Sequence, residues 1–325
     1  MSVFENAALI GAGLVGPQIG VVLAQGCGRV KVFDQNPANV ERALRDMRTY
    51  VDELAAEGLL IGEPDSVYPR IEAATSLEEA VDGVEFVLEA IFENREAKEA
   101  LYGKLGQITD PATIIASNTS GIPIRHMADA CTHPSRVVGS HFVLPAHILP
   151  LVEVIKHPKV DEEAIRVTRA AWEKMGKSAI TVNVDIPGFV HNRLQHGLTR
   201  QAIELFATGI ASAEDIDNAV RNGFGARFIS VGPLGGRDLG GIINHAKVAA
   251  YLYAQLDDPE NLAANHLAEM SKQGKDGVRA GQGFHTWTGT PETLRDFHYE
   301  KMIWLVKQMR EIGSVITDEA EIPGG

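Results

Sequence analysis

Two residues whose side chains can move a proton stand in neighbouring apolar segments of the chain. His141 lies near the end of the apolar run 137–143, and Glu153 lies inside the apolar run 151–155. A buried carboxylate needs a partner, because a charge left unpaired in a protein interior costs several kcal/mol. A histidine on a nearby element is a natural partner. Such a pair fixes the imidazole tautomer, raises its basicity and leaves the other ring nitrogen free to take a proton.

The elements that would position this pair alternate along the first two thirds of the chain. Short runs rich in valine and isoleucine, bounded by turn-forming residues, are typical of buried strands. They occupy residues 7–10, 30–33, 86–91, 113–116, 137–143, 151–155 and 179–184. Helical patterns lie between them, at residues 16–24, 38–57, 77–81, 94–108 and 162–175. The alternation predicts an α/β fold with a Rossmann-type, doubly wound and mostly parallel sheet, which binds ligands outside its strand carboxyl ends.

The character of the chain changes after Pro187, where helical patterns follow one another without strands. They span residues 189–206, 213–222, 245–255, 261–273 and 294–311. We therefore predict two domains, a sheet domain over 1–186 and an all-helical domain over 187–325. The acidic tail 317–325 is expected to be frayed.

A glycine-rich turn follows the first apolar run and precedes the first helical pattern. Its sequence, Gly11-Ala-Gly13-Leu-Val-Gly16, has the G-x-G-x-x-G spacing of dinucleotide-binding folds. Gly11 permits the tight turn, Gly13 lets the backbone approach a pyrophosphate, and Gly16 brings the helix close to the sheet. The helix N-terminus then faces the phosphate charge. We predict that this turn, with Leu14 and Val15 included, binds a dinucleotide.

The second apolar run ends on an acidic residue at the spacing expected of a ribose-binding carboxylate. Asp34 closes the run 30–33, and neither arginine nor lysine follows it directly. A carboxylate at this point accepts hydrogen bonds from the adenosine ribose and repels a 2′-phosphate. The sequence therefore predicts NAD rather than NADP as the cofactor, with Asp34 and Gln35 among the residues that bind it.

A nicotinamide cofactor beside a carboxylate-backed histidine indicates hydride transfer from a secondary alcohol. The histidine takes the hydroxyl proton while the hydrogen on carbon leaves as hydride, and the reverse reaction reduces a ketone. A lone strand-end histidine or a lone buried glutamate is more often structural, but their joint presence after a dinucleotide turn favours catalysis. Asn192, near the start of the helical part, either holds a substrate oxygen or bonds locally within its own helical turn.

Composition excludes several classes of protein. The chain has 30 lysines and arginines against 43 aspartates and glutamates, and its formal net charge of −13 repels nucleic acid and anionic membranes. The two cysteines, Cys27 and Cys131, are too few for a disulfide framework and lack the paired spacing of a zinc site, so we expect no metal. We expect neither a membrane span nor a signal peptide. The chain is expected to be soluble and cytoplasmic.

Seven motifs, taken in order, resemble those of the 3-hydroxyacyl-CoA dehydrogenase family. They are Gly11-Ala-Gly13-Leu-Val-Gly16, Glu89-Ala-Ile-Phe-Glu93-Asn, Ser117-Asn-Thr-Ser120, Gly139-Ser-His141-Phe, Leu151-Val-Glu153-Val-Ile155, Pro187-Gly-Phe-Val-His-Asn192-Arg193 and Gly281-Gln-Gly-Phe284. The resemblance extends from Gly11 to about Phe284, which is most of the chain. It implies an NAD-dependent dehydrogenase whose helical C-terminal domain mediates a homodimer.

The resemblance also implies catalytic roles for individual residues. It makes His141 the general base and Glu153 its partner. It further implies that Ser120 and Asn192 touch the substrate oxygen.

Three more residues match family positions beside the cofactor. Glu93 and Lys98 correspond to residues near the nicotinamide ribose, and Asn118 lies close to the cofactor in the same pattern. From the residues alone, Glu93 and Lys98 are equally consistent with charges on one exposed helix face.

Two departures from the family pattern bear on the substrate. Members usually carry asparagine three residues after the catalytic histidine, where this chain has Leu144. A lost hydrogen-bonding side chain changes what a polar site holds. The helical pattern 38–57 carries three arginines against five acidic residues, and no lysine lies between Lys31 and Lys98, so this surface suits CoA phosphates poorly.

The runs 120–124 and 148–153 resemble those of family branches that oxidise small free acids. These branches are gulonate 3-dehydrogenase (related to lambda-crystallin), carnitine dehydrogenase and a vitamin B6-degradation dehydrogenase.

We therefore expect an oxidoreductase that acts on a 3-hydroxy acid or the corresponding keto acid, with the free acid slightly favoured over its CoA thioester. Two alternatives remain, a non-catalytic crystallin-like protein that keeps the fold and an NAD-binding sensor without turnover. Intact His141, Glu153, Ser120 and Asn192 count against both, because nothing structural requires all four together.

Overall fold

The computed structural model describes residues 4–256, 262–283, 286–294 and 296–297. The chain divides into two compact units, of which the first ends at His196 and the second begins at Gly197. The domain boundary predicted between residues 186 and 187 lies N-terminal to that division and stays a prediction. Of the sequence-based expectations, those for Phe284, for residues 298–311 of the helix 294–311 and for the tail 317–325 lie outside the described residues.

The first unit is built on one eight-stranded sheet. Its strands are β1 (Asn6–Ile10), β2 (Arg29–Phe33), β3 (Ile71–Ala73), β4 (Phe86–Glu89), β5 (Ile114–Ser117), β6 (Val137–Phe142), β7 (Leu151–Ile155) and β8 (Ser178–Val182). They lie side by side in the order β3-β2-β1-β4-β5-β6-β7-β8. Neighbouring strands are parallel except β6 and β7, which run antiparallel. The predicted Rossmann-type, mostly parallel sheet is therefore confirmed.

Helices flank this sheet because a parallel strand pair needs a long crossover connection. They are α1 (Gly16–Gly26), α2 (Pro37–Ala56), α3 (Pro64–Val67), α4 (Leu77–Val81), α5 (Arg95–Ile108), α6 (Ile124–Ala130) and α7 (Glu162–Lys174). Successive strand residues point to opposite faces, so Leu9 and Ile10 of β1 enter two different apolar clusters. The cluster that contains Leu9 also holds Trp172 of α7, and the one that contains Ile10 holds Tyr102 of α5. The sheet is thus covered by apolar residues on both faces.

Three short elements of this unit, β3, α3 and α6, were not predicted from the sequence. Strand β3 is three residues long and partly or fully exposed throughout, and it is held by backbone pairing with β2. Helix α6 begins where the backbone amides of Ile124 and Arg125 donate to the carboxylate of Asp185, over 3.0 and 2.9 Å. That partner lies about sixty residues further along the chain. Local patterns cannot show such a cap, so α6 was missed, and β3 was missed because backbone pairing with β2 and not an apolar pattern holds it.

The described residues after β8 are mostly helical. The helices are α8 (His191–Ala207), α9 (Ala213–Ala219), α10 (Ala226–Val231), α11 (Pro233–Gly240), α12 (Ile242–Leu252) and α13 (Leu262–Lys272). Ile242, Ala249 and Met270 form a small apolar core between α12 and α13. The predicted helical C-terminal part is confirmed. Within the described ranges, no helix combines the length and the apolar character needed to cross a membrane.

Candidate active site

The antiparallel pairing of β6 and β7 brings His141 and Glu153 together. The two residues face each other in the strand register, so their side chains lie on the same face of the sheet. Nδ1 of His141 lies 2.6 Å from Oε2 of Glu153. His141 is 4% exposed and Glu153 is fully buried. The pair expected from the sequence is therefore a short, enclosed hydrogen bond.

The second oxygen of Glu153 is also occupied. Oε1 accepts hydrogen bonds from the backbone amides of Val190 and His191, each over 2.9 Å. Burial raises the pKa of Glu153. The hydrogen bonds from His141, His191 and Val190 together lower it by more than burial raises it, so the pKa lies below its usual value. An ionised Glu153 only accepts hydrogen bonds, so Nδ1 of His141 carries the hydrogen of their shared bond. In the neutral ring, Nε2 is then the nitrogen with the free lone pair.

Ser120 and Asn192 also lie next to each other. Nδ2 of Asn192 donates to the backbone carbonyl oxygen of Ser120 over 2.9 Å. Ser120 itself is exposed and follows the carboxyl end of β5. The amide of Asn192 therefore reaches across to a distant loop. This contact differs from the local bond within its own helical turn that the sequence left open.

Asn118 joins the ends of two neighbouring strands. Its Oδ1 accepts a hydrogen bond from the backbone amide of Phe142 over 2.9 Å. Phe142 directly follows His141 at the end of β6. Asn118 thus fixes the backbone beside His141, a contact that the sequence did not predict.

The glycine-rich turn leaves space where a phosphate group would lie. A Cβ atom at Gly13 would meet no atom within 4 Å. At Gly16, by contrast, a Cβ would lie 2.1 Å from the carbonyl oxygen of Gly11, and Gly11 has a φ of +108°, which favours glycine. Gly11 and Gly16 therefore allow the tight turn, and Gly13 leaves the backbone open beside the N-terminus of α1.

A cavity of about 900 Å³ opens beside this turn. Gly11, Gly13, Asp34 and Gln35 line one side of it, as expected of cofactor-binding residues. The carboxylate of Asp34 is fixed, since it accepts hydrogen bonds from the amide of Ala12 over 2.9 Å and from the amide of Asn36 over 2.9 Å. A cavity of this size, an open glycine and a fixed carboxylate together fit a dinucleotide.

The opposite wall of the cavity consists of residues that the sequence analysis did not name. Residues 75–78 and one face of α5 provide most of it. Ser76 caps α4 by accepting from the amide of Glu79 over 3.1 Å, and Glu79 accepts from the amide of Thr75 over 2.7 Å. This arrangement resembles a capping box, with the glutamate bonded to the amide of the residue before the N-cap. Its S-x-x-E spacing is visible in the sequence and could have placed this helix start.

The other predicted cofactor residues lie apart from the cavity lining. Leu14 is largely exposed and Val15 half-buried. The side chain of Lys98 is only 1% exposed, with Nζ 2.5 Å from Oε1 of Glu89 and 3.6 Å from Oε2 of Glu93. The view of Lys98 as a charge on an exposed helix face is therefore wrong, because its side chain turns inward to two carboxylates. Glu89, which the sequence analysis did not assign, is a buried acid at the end of β4.

Comparisons with known proteins agree with this geometry. The sequence model of the 3-hydroxyacyl-CoA dehydrogenase NAD binding domain matches residues 6–186, and that of the C-terminal domain of the same enzymes matches residues 188–287. The chain belongs to the 3-hydroxyacyl-CoA dehydrogenase family. It is therefore an NAD-dependent oxidoreductase that acts on CH–OH groups, and the predictions of family, enzyme class and cofactor are confirmed.

Relatives in this family differ in the substrates that their names give. The chain is 32% identical over 306 residues to 5-formyl-3-hydroxy-2-methylpyridine 4-carboxylate 5-dehydrogenase of Mesorhizobium japonicum, covering 94% of this chain and 97% of that protein. A crystal structure of a dehydrogenase of that name, described as an NAD⁺-dependent dismutase, matches at a TM-score of 0.73 and 30% identity over 95% of this chain and 98% of the other. The crystal structure of (S)-3-hydroxybutyryl-CoA dehydrogenase from Ralstonia eutropha matches at a TM-score of 0.64 and 28% identity, covering 88% of this chain and all of the other.

Proposed function

We propose that this family member oxidises the secondary alcohol of a 3-hydroxy acid, with His141 as general base and Glu153 as its partner. The observation that carries the proposal is the buried 2.6 Å hydrogen bond between Nδ1 of His141 and Oε2 of Glu153. A carboxylate that accepts from Nδ1 fixes the tautomer in which Nε2 carries the lone pair, and it stabilises the imidazolium formed when Nε2 takes a proton. General bases in enzymes use this arrangement.

The proton and the hydride of the alcohol go to different acceptors. The hydroxyl proton moves to Nε2 of His141, and Glu153 holds the resulting imidazolium through Nδ1. A bound NAD would supply the acceptor for the hydride that leaves the alcohol carbon. In the reverse direction, the imidazolium returns its proton to the ketone oxygen. The proton is therefore accepted by His141, whose charge Glu153 balances, and the hydride is accepted by the cofactor, so no further reactant is needed.

Ser120 and Asn192 would hold the substrate oxygen. Asn192 uses one amide hydrogen on the carbonyl oxygen of Ser120, which leaves its second amide hydrogen for a ligand. The hydroxyl group of Ser120 is exposed and carries a further donor. Two donors on adjacent side chains suit an oxygen that alternates between alcohol and ketone. Glu93 and Asn118 would lie on the cofactor side of the same strand ends.

Within this reaction, we place a free 3-hydroxy acid ahead of its CoA thioester. Leu144, three residues after His141, is 47% exposed and cannot donate the hydrogen bond of the asparagine usual in the family. One relative is named for a free pyridine carboxylate and another for a CoA thioester, so the family accommodates both substrate classes. The acidic balance of α2 disfavours a polyphosphate.

The test is an absorbance assay at 340 nm with purified enzyme and NADH. Acetoacetyl-CoA is compared with a panel of free 3-keto acids. Turnover with the free acids and little with the thioester supports the proposal as stated. Rapid turnover with the thioester alone would move the substrate to the CoA class. NADH binding without any substrate-dependent absorbance change would favour the crystallin-like or sensor alternatives.

A homodimer is part of the proposal. Helix α8 has no buried residue, and its side chains Leu198, Ile203 and Phe206 are 44, 60 and 57% exposed. Apolar side chains exposed along one helix fit association with a second copy. Light scattering that gives the mass of one chain would contradict the dimer. The cytoplasmic location stays a prediction.

A further inference from the structure

Glu89 is a buried carboxylate to which the proposed reaction gives no role. It is fully buried at the carboxyl end of β4. Its Oε1 accepts from Nζ of Lys98 over 2.5 Å and from the amide of Ile91 over 2.8 Å, and its Oε2 accepts from Oγ of Ser117 over 2.7 Å. Each of its oxygens is therefore engaged, and its charge is balanced by an equally buried lysine.

Lys98 connects this carboxylate to a second one. Its Nζ lies 3.6 Å from Oε2 of Glu93 as well as 2.5 Å from Oε1 of Glu89. The side chain of Glu93 is 43% exposed, whereas those of Lys98 and Glu89 are enclosed. One buried cation thus fixes both a fully buried acid and an acid at the surface of the strand ends.

Both acids bind the loop that follows β5. Oε1 of Glu93 accepts from Oγ1 of Thr119 over 2.5 Å, from the amide of Ser120 over 3.0 Å and from the amide of Gly121 over 3.2 Å. From the other side, the hydroxyl of Ser117, which donates to Glu89, accepts from the amide of Thr119 over 3.3 Å. The loop 117–121 is therefore held at two points by carboxylates that share Lys98.

This loop in turn sets the position of Ser120 and, through the carbonyl oxygen of Ser120, that of Asn192. We propose that Glu89 is a positioning residue: through Lys98, Glu93 and Ser117 it holds the loop that presents the substrate-binding oxygen donors. The inference rests on the proposed function for the role of Ser120 and Asn192. A buried ion pair adds little to stability by itself. Because the carboxylates of this pair and of Glu93 are hydrogen-bonded to the loop from two sides, they favour a single loop conformation.

A double substitution distinguishes two roles of Glu89, which are to position the loop and merely to balance the buried charge of Lys98. Lys98→Met leaves Glu89 as an unpaired buried charge, and Glu89→Gln leaves the buried Lys98 with only the more distant Glu93, so each is expected to lower the Tm. The double variant E89Q/K98M leaves neither charge and is expected to regain most of the lost Tm. Its kcat with the 3-hydroxy acid is expected to stay at least about tenfold below that of the wild type, because Glu93 and the loop have lost their shared cation. A double variant that regains both Tm and kcat overturns the proposal.

Further measurements keep the proposal testable if the double variant does not fold. Ser117→Ala removes the hydroxyl that joins Glu89 to the loop. It is expected to lower the Tm, because Oε2 of the buried Glu89 loses its donor, and to lower kcat measured well below that Tm. Unchanged kcat in Ser117→Ala would contradict the proposal. The exposed pair Lys159 and Asp129, 2.6 Å apart, gives the control D129N/K159M, which is expected to change neither quantity.

A failure of the positioning role is distinguishable from a failure of the proposed reaction. If the wild type turns over no hydroxy acid, the reaction is wrong, and amide hydrogen exchange still reports on the loop. Residues 117–121 are then expected to exchange about tenfold faster in Ser117→Ala than in the wild type. Equal exchange in the two proteins would overturn the positioning role.

Discussion

The backbone amide of His191 donates a hydrogen bond to Oε1 of Glu153 over 2.9 Å, on the oxygen that faces away from His141. The first residue of α8 is thereby tied to the carboxylate that orients the imidazole. Phe189, two residues earlier, has a φ of +49° and is fully buried, and its ring centroid lies 5.6 Å from that of His141. A non-glycine residue in this region carries strain of about 1–3 kcal/mol. The left-handed conformation at Phe189 precedes the two consecutive amides, of Val190 and His191, that donate to Glu153, and the Phe189 ring packs against the histidine ring.

The histidine–glutamate pair is expected to control the rate and not the binding of the cofactor. His141→Ala and Glu153→Gln should each lower kcat by about 10²–10⁴-fold, the usual contribution of general acid–base catalysis. Glutamine lacks the charge that stabilises the imidazolium. The dissociation constant for NADH, measured by fluorescence, should stay near the wild-type value. Glu173→Gln changes an exposed carboxylate on α7 and serves as control. Near-wild-type kcat in both site variants would exclude the pair as the base.

Asp34 is expected to set the choice between NAD and NADP. Asp34→Ala removes a carboxylate that lines the cavity and that accepts from the amide of Ala12. The ratio of kcat/KM for NAD over NADP should fall by about 10- to 100-fold, as expected for the loss of hydrogen bonds to a charged acceptor. The matched variant Asp46→Ala, also on the α2 side but exposed, should leave the ratio unchanged. An unchanged ratio in Asp34→Ala would assign the preference to another residue.

Two glycines of the same turn are expected to respond differently to an added methyl group. Gly13→Ala should fold with a normal Tm, because its Cβ meets no protein atom, but the methyl group enters the space left for the phosphates, so NADH binding should weaken. Gly16→Ala should lose about 1–3 kcal/mol or more of stability, because its Cβ would lie 2.1 Å from the carbonyl oxygen of Gly11. Calorimetry and NADH titration of both variants check this. A Gly16→Ala variant with a normal Tm, or a Gly13→Ala variant that binds NADH as tightly as the wild type, would contradict these roles of the two glycines.

Lys177 is expected to make stability depend on pH in the alkaline range. Its Nζ donates to the carbonyl oxygens of Ala146, His147 and Leu149, over 2.7, 3.3 and 3.0 Å. Burial lowers the pKa of Lys177 from 10.5 to about 8. Between about pH 8 and 10.5 the unfolded chain therefore holds more protons at this group than the folded one, so the free energy of unfolding rises with pH in this window. Below pH 8 both states are protonated and the contribution of the group is constant.

Urea denaturation of the wild type and of Lys177→Met measures this contribution. The difference in unfolding free energy between the two should grow from pH 7.5 to pH 10 in favour of the wild type. Lys174→Met, at the exposed end of α7, should show a difference that does not vary in this way. A difference that is flat in Lys177→Met as well would show that Lys177 titrates normally in the folded chain.

Local patterns in the sequence predicted the fold class and a dinucleotide-binding turn. Alternating apolar runs and helical patterns predict the parallel sheet because strand and helix periodicities are local properties of the backbone. The turn at Gly11–Gly16 and the acid at Asp34 are likewise local, since both lie within one strand–helix–strand unit. The pairing of His141 with Glu153 followed from the need of a buried carboxylate for a partner.

Only the tertiary structure decided which distant groups share a charge or a hydrogen bond. Lys98 turned out to be buried because Glu89 of β4 and Glu93 meet it from one side of α5, a contact that depends on helix–sheet packing. The cap on α6 comes from Asp185, and the donors on Glu153 come from Val190 and His191. The periodicity of apolar residues shows which face of a helix or strand is apolar. These contacts depend instead on the order of the strands in the sheet and on which distant segments pack beside them. Electrostatic partners that are remote in sequence are therefore set by topology, which local patterns do not contain.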